Sequence, residues 1–289
     1  MRFKANLTNQ KLLYSIVQCM EKVDKTGIIR LSKDKIILIA RQTDGENTQV
    51  HGVVPSVNLF SEMRIQSKLR NEIVIEVQLK NLSAALKSAN NALAIVAKLT
   101  KKQEIGYLSF EIKTQVAKGK ETSNVVTVVQ DVPIRVLLQE EIQVKVVEPD
   151  FSSHCQNPLI ISLPKLKEMK SVIDKMKSTH NGTVEVSGSP TGQLRLLVTS
   201  TLVSIRTIYK GLNVKASPPN TINEVYTSEI TVKLKSLSRL LHAHNANPTD
   251  VNCIFADGTA LIVDVYLESN GEGDEAPKSY LTYYITAVQ

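Results

Sequence analysis

The side chains best suited to chemistry in this chain are five histidines, three cysteines and a surplus of lysine and arginine, and their spacing gives them unequal prospects. His242 and His244 form the one close histidine pair, but two positions apart they point to different sides of a helix, whereas a helical metal pair sits three or four apart. His244 falls on the Leu237/Leu241 side, where a hydrogen-bonded, half-buried state is expected. Gly188-Ser-Pro-Thr-Gly192 lacks the lysine and the following helix that a phosphate cradle needs, so it reads as a turn. No dinucleotide fingerprint and no His-Glu-x-x-His site occurs in the sequence, and nothing marks a carboxylate pair for acid and base work. Cys19, Cys155 and Cys253 are odd in number and scattered, which suits neither a disulfide framework nor a metal site and implies a reducing compartment. The reading is of a chain with no catalysis of its own, no metal and no cofactor.

The charge is more informative. Thirty-five Lys and Arg against 28 Asp and Glu leave a net charge of +7, which admits a polyanionic partner. On helical wheels the cations gather opposite apolar stripes. Residues 8–25 carry Lys11, Gln18, Lys22 and Lys25 opposite Leu12, Ile16 and Met20; residues 79–91 carry Lys80, Lys87 and Asn91 opposite Leu82 and Leu86. Residues 163–179 carry Lys167, Ser171 and Lys175, with Asp174 beside them, opposite Met169 and Ile173; residues 234–246 carry Lys235, Arg239 and His242 opposite Leu237 and Leu241. One lysine-faced helix is ordinary solubilising surface. Four, with carboxylates nearly missing from the stripes of a chain that holds 28, suit a protein that lies against phosphates without reading bases. Aromatic residues at 4% and the absence of Trp argue against stacking on single strands.

The elements that must hold these stripes follow from periodicity. Thr8 is available as an N-cap for the first helix and Gly27 as its stop. Strands are expected at Ile28–Leu31, Ile36–Ala40, Val50–Val54 and Ile73–Val77, then, after the second helix, at Ala94–Leu99, Tyr107–Lys113 and Val125–Val129. The second half repeats the order with strands at 183–187, 193–199, 202–208, 226–233, 250–256, 259–267 and 279–286, and Asp257-Gly258 marks a hairpin. Polar loops are expected at 114–124 and 269–278, the second acidic and mobile. No run approaches the roughly 18 apolar residues that span a bilayer, and no apolar signal region follows Met1, so a soluble intracellular protein is expected.

Leu79, Lys80, Leu82, Ser83, Leu86 and Asn90 recur as Leu234, Lys235, Leu237, Ser238, Leu241 and Asn245, 155 positions on. Gly27 and Gly182, Phe110 and Val265, and Thr127 and Thr282 keep the same separation. One register across four elements is too long a unit for a solenoid and indicates duplication of a whole domain. Two α+β domains are expected, 1–133 and 159–289, each mostly antiparallel sheet with two helices, joined by an extended connector at 134–158.

With these features in hand the whole chain resembles a DNA sliding clamp subunit, and more specifically the Hus-type subunit of the heterotrimeric nine-one-one checkpoint clamp. The resemblance is carried by Met1-Arg-Phe-Lys-Ala5, Asn81-Leu-Ser-Ala-Ala-Leu-Lys87, Val126-Thr-x-x-x-Asp-Val-Pro-Ile-Arg-Val136, Leu163-Pro-Lys-Leu-Lys-Glu-Met-Lys-Ser-Val-Ile-Asp-Lys-Met-Lys177, Tyr209-Lys-Gly-Leu212 and Leu281-Thr-Tyr-Tyr-Ile285. The loops at 42–48, 114–124 and 152–158 depart from the family pattern. The resemblance implies a DNA-clamp fold whose helices line the inner face of a ring, with two other clamp-like subunits as partners. It implies encirclement of double-stranded DNA without sequence specificity, opening by an ATP-driven clamp loader, service as a platform for repair and checkpoint proteins, and a place in the nucleus, with no membrane partner. Ring closure through edge strands would use Tyr107, Leu108, Phe110 and Ile112 in the first domain and Val184 and Val186 in the second. The alternative is a homotrimeric replication processivity clamp, and a rival from another class is a small-molecule enzyme of α+β fold.

Overall fold

The computed structural model describes all residues except 43–47, 69, 119–121, 156, 180–181, 219–227, 268–276 and 289. The chain divides into two compact units: unit 1 holds Met1–Ala40, Gly52–Val147 and Ser269–Ser279, and unit 2 holds Arg41–His51, Glu148–Glu268 and Tyr280–Gln289.

Unit 1 runs β1 (Arg2–Leu7), α1 (Gln10–Glu21), β2 (Thr26–Leu31), β3 (Lys35–Arg41), β4 (Thr48–Pro55), α2 (Ser56–Leu59), β5 (Phe60–Gln66), β6 (Ile73–Gln78), α3 (Leu79–Ser88), β7 (Ala94–Lys102), β8 (Ile105–Lys118), β9 (Thr122–Val136) and α4 (Gln139–Lys145). The strands lie in the order β3-β2-β6-β9-β8-β7-β1-β5, with β4 beside β3. Strand β1, not foreseen from the sequence, alternates Phe3, Ala5 and Leu7 inward and pairs antiparallel with both β5 and β7.

Unit 2 repeats the order as β10 (Leu159–Ser162), α5 (Leu166–Thr179), β11 (Thr183–Ser189), β12 (Gln193–Thr199), β13 (Ser204–Tyr209), β14 (Val214–Ala216), β15 (Ser228–Lys233), α6 (Leu234–Leu240), β16 (Asp250–Ala256), β17 (Ala260–Leu267) and β18 (Ser279–Thr286). Its strands order as β13-β12-β11-β15 and β14-β10-β16-β17-β18. The repeated leucines of the sequence, Leu79 and Leu234, each open a helix directly after a strand. Each gives its backbone N–H to a carbonyl just before the unit's second strand, Lys25 at 2.9 Å and Gly182 at 3.0 Å. Asp257 and Gly258 both take positive φ, which the β16–β17 hairpin requires. Residues 190–192 form the expected turn, where Gly192 at φ +76° faces the Leu212 carbonyl too closely for a Cβ.

Several local expectations are corrected. Asn9, not Thr8, caps α1 by accepting the Leu12 N–H at 3.0 Å, because Thr8 donates its hydroxyl to the Leu59 carbonyl at 3.0 Å. Helix α1 ends before Gly27, which sits inside β2 against Leu79. The span 114–124 is no loop: apart from 119–121, outside the described residues, it is the paired end of the β8–β9 hairpin. Backbone pairing needs no apolar side chain, so polarity misled there. The connector is not simply extended, since α4 and a 3₁₀ turn at Ser152–His154 occupy it. The last helix is α only to Leu240 and continues as a 3₁₀ turn through Ala246, ending at left-handed Asn247 before Pro248. The acidic loop at 269–278 lies, but for 277 and 278, outside the described residues.

Helix α4 is held to unit 1 by charge. Arg135 on β9 bonds Glu76 on β6 at 3.0 Å and Glu141 on α4 at 2.6 Å, and Lys145 reaches Glu76 at 2.9 Å. Burial alone would raise the Glu76 carboxyl, but hydrogen bonds from Arg135 and Lys145 outweigh it and hold the group below its usual 4.5. A carboxylate lowered in the folded state stabilises above its unfolded pKa and ceases to do so as pH falls through the folded value. Far-ultraviolet and fluorescence titrations are therefore expected to show this contribution whole at pH 6 and gone below about pH 4, and Glu76→Gln is expected to abolish that part of the pH dependence. Gly188 on β11 is a packing point, since a Cβ there would stand 2.7 Å from both Leu159 and the Phe255 ring. Gly188→Ala is expected to cost about 1–3 kcal/mol of stability in urea unfolding, with no change in m-value.

Candidate nucleic-acid interface and subunit edges

Each stripe begins with what the helix buries. Helix α1 sinks Leu12, Leu13, Ile16, Val17 and Met20, α3 sinks Leu79, Leu82, Ala85 and Leu86, and the Gln10 amide bonds the Leu86 carbonyl at 2.6 Å to tie the two together. Helix α5 sinks Leu166, Met169, Ile173 and Met176, with Val172 only half-buried, and α6 sinks Leu234, Leu237 and Leu240. The opposite faces are left to water. Lys11 on α1, Lys22 at its C-terminus, Lys25 beyond it, and Lys80 and Lys87 on α3 are all exposed. None of these five makes an ion pair among the described residues. Asn91 follows α3 at φ +61°, also exposed. In unit 2, Lys167 and Lys175 on α5 and Lys235 on α6 are exposed as well.

Three residues of the stripes are less open. Gln18 is half-buried and donates to the Tyr14 hydroxyl at 2.9 Å. Arg239 is half-buried and donates to the Gln42 side chain, so its guanidinium is held in place. His242 is half-buried on the 3₁₀ turn, its ring centroid 6.4 Å from that of His244, which itself meets the Leu241 carbonyl at 2.8 Å as its position implied. Asp174, the one carboxylate noted beside a stripe, is occupied by Lys170 at 2.6 Å. The arrangement can attract phosphate through separate point charges and supplies no planar forks fixed on bases.

The expected subunit edges are interior. Strand β8, with Tyr107, Leu108, Phe110 and Ile112, is paired along one side with β7 and along the other with β9. Strand β11, with Val184 and Val186, is paired with β12 and β15. The alternation that singled these strands out marks a half-buried interior strand equally well, and Leu108, Phe110, Ile112, Val184 and Val186 are all core. Free edges lie one step further on. Strand β9 meets β6 only at Ile134–Val136, so over Thr122–Pro133 one side has no strand partner among the described residues. Val125, Val126, Val128 and Val129 are exposed there, Val125 at 60%. In unit 2 the end strand is β13, which pairs with β12 alone and exposes Ser204, Arg206 and Ile208. The missed signal was Val125-Val-Thr-Val-Val129, apolar on both faces at once, which no singly covered strand needs.

The fold and family of the chain are settled by comparison with known proteins. Its fold matches the proliferating cellular nuclear antigen of Entamoeba histolytica with a TM-score of 0.70 at 14% identity, covering 99% of each chain. It matches that of Thermococcus kodakaraensis with a TM-score of 0.69 at 14% identity, covering 99% of this chain and 100% of the other. This is the α+β clamp fold. In sequence the chain is 30% identical over 283 residues to the human checkpoint protein HUS1, covering 93% of this chain and 96% of that one. It is 28% identical over 299 residues to the checkpoint protein hus1 of Schizosaccharomyces pombe, covering 99% of both. The model of the Hus1-like protein family matches residues 1–289, and the chain belongs to that family.

Proposed function

We propose that this chain is one subunit of a ring-shaped heterotrimeric sliding clamp that encircles DNA at damage sites and serves there as a platform for checkpoint and repair proteins. The observation that carries the reading is that each of two repeated units combines a pair of lysine-faced helices with one unpartnered strand edge. Helices facing the hole would present Lys11, Lys22, Lys25, Lys80, Lys87, Lys167, Lys175 and Lys235 to the duplex, with Gln18, Asn91, Arg239 and His242 at the margins. A closed ring retains DNA by topology, so the lining needs only weak, sequence-blind attraction that permits sliding. Two clamp domains, 1–133 and 159–289, joined by the connector 134–158, suit such a subunit. Two other clamp-like chains would take the free edges, β9 giving strand to one neighbour and β13 accepting it from the other, a head-to-tail contact that closes after three members. An ATP-driven loader would supply the opening that this chain has no chemistry to perform, and the work would be done in the nucleus.

Two measurements test this. Lys22, Lys87, Lys167 and Lys175, each changed to Gln, leave Arg239 and its Gln42 bond intact. The quadruple variant is expected to melt like the parent, and the assembled ring is expected to lose about one unit of log–log salt slope on duplex DNA for each phosphate contact removed. An unchanged slope would remove these lysines from the lining. For the edge, Val126→Glu with Val128→Glu is expected to end co-purification with one clamp-like partner while the isolated chain keeps its melting temperature; full recovery of the heterotrimer would exclude β9 as the joint.

A further inference from the structure

Unit 2 holds a cavity of about 430 Å³ whose floor is one face of the sheet formed by β16, β17 and β18, and whose remaining wall is the connector around Glu148 and Phe151. The two-residue period of the strands turns Asp264 and Tyr266 on β17 and Tyr280 and Tyr284 on β18 into the same space. Four aromatic rings therefore surround it, Phe151 stacked on Tyr284 with centroids 6.0 Å apart and Tyr266 tilted against Tyr280 at 6.3 Å. Two carboxylates complete the lining, and among the described residues that line it there is no Lys, Arg or His.

The carboxylates are fixed in place but not used up. Asp264 accepts from the Thr282 hydroxyl at 2.7 Å through Oδ1, and Glu148 accepts from the Tyr284 hydroxyl at 2.6 Å through Oε1. Oδ2 of Asp264 and Oε2 of Glu148 have no hydrogen-bond partner among the described residues. Aromatic faces attract cations, and a carboxylate oxygen with an open lone pair accepts a charge-assisted bond. With one oxygen of each carboxylate already taken, neither offers the two-oxygen fork that suits a guanidinium, so a compact ammonium is the better fit. Burial holds the Asp264 carboxyl above the usual aspartate range, against the Thr282 bond that lowers it and with the Glu148 charge that adds to it, and a cation in the cavity relieves both burial and repulsion.

We propose that this cavity is an aromatic and carboxylate cage for the ammonium group of a lysine side chain carried by a partner polypeptide. That the lysine comes from a polypeptide rests on the platform reading given above; the preference for an ammonium does not. The cage discriminates by charge, so an apolar side chain of the same length is a poor occupant.

The test is a titration of the full chain, with its tyrosine and phenylalanine rings labelled for NMR, against Nα-acetyl-lysine methylamide and against the norleucine counterpart. The lysine probe is expected to shift the Tyr266, Tyr280 and Tyr284 ring signals saturably, with norleucine at least about tenfold weaker. Asp264→Asn is expected to weaken the lysine probe about fivefold or more, and Glu148→Gln, at an exposed position, decides the matter if the first variant unfolds. Norleucine binding as well as lysine, no ring shifts with either probe at about 50 mM, or folded variants that bind like the parent would each overturn the cage. A ring that assembles on DNA but ignores the lysine probe would sink the cage and leave the platform standing, whereas lysine binding by a chain that joins no ring would do the reverse.

Discussion

The burial of one apolar stripe per helix is the constraint on which the rest of this structure depends. Each of Leu12, Ile16 and Met20 on α1, or Met169, Ile173 and Met176 on α5, is worth about 1.5–3 kcal/mol when taken out of water. An exposed ion pair contributes about 0–1 kcal/mol. The core therefore orients each helix, and the lysines take the one face left over. Their number and kind are free to answer to something other than folding, which is why a stripe nearly free of carboxylates is informative about a partner and not about stability.

What was legible in the sequence follows from the same hierarchy. Helices with a buried stripe showed themselves by period, and the 155-residue register recovered their duplication because Leu79 and Leu234 do the same job at the same junction. Strand β1 was missed because Arg2–Leu7 is a short alternation at the very start of the chain, where no turn residues frame it. The edges were placed one strand too early, since alternation reports a side chain's burial and says nothing of which backbone groups lack a neighbour. Helix α4 left no hydrophobic signal at all: it buries no residue and is held by Arg135, Glu76, Glu141 and Lys145, a set scattered over 70 positions that only the fold brings together.

The connector shows how a polar segment gains a definite path without a core of its own. Its first half is pinned by that charge network, and its second half returns to unit 2, where the Tyr284 hydroxyl meets Glu148 and Phe151 stacks on the Tyr284 ring. Such anchors are individually weak and pH-dependent, unlike the apolar packing beneath α1 and α5. The chain thus combines rigid units, whose geometry is set by burial, with a strap whose position is set by polar contacts.

The open side of β9 carries a cost for the cell. Asn124–Gln130 is seven residues of high strand propensity with no charge, no proline and no glycine, and its backbone donors and acceptors on one side are unspent. Nothing in the chain itself covers that row. A molecule made in excess of its neighbours would therefore expose a template for stacking with its own kind, and the supply of this subunit has to be matched to theirs or its surplus removed.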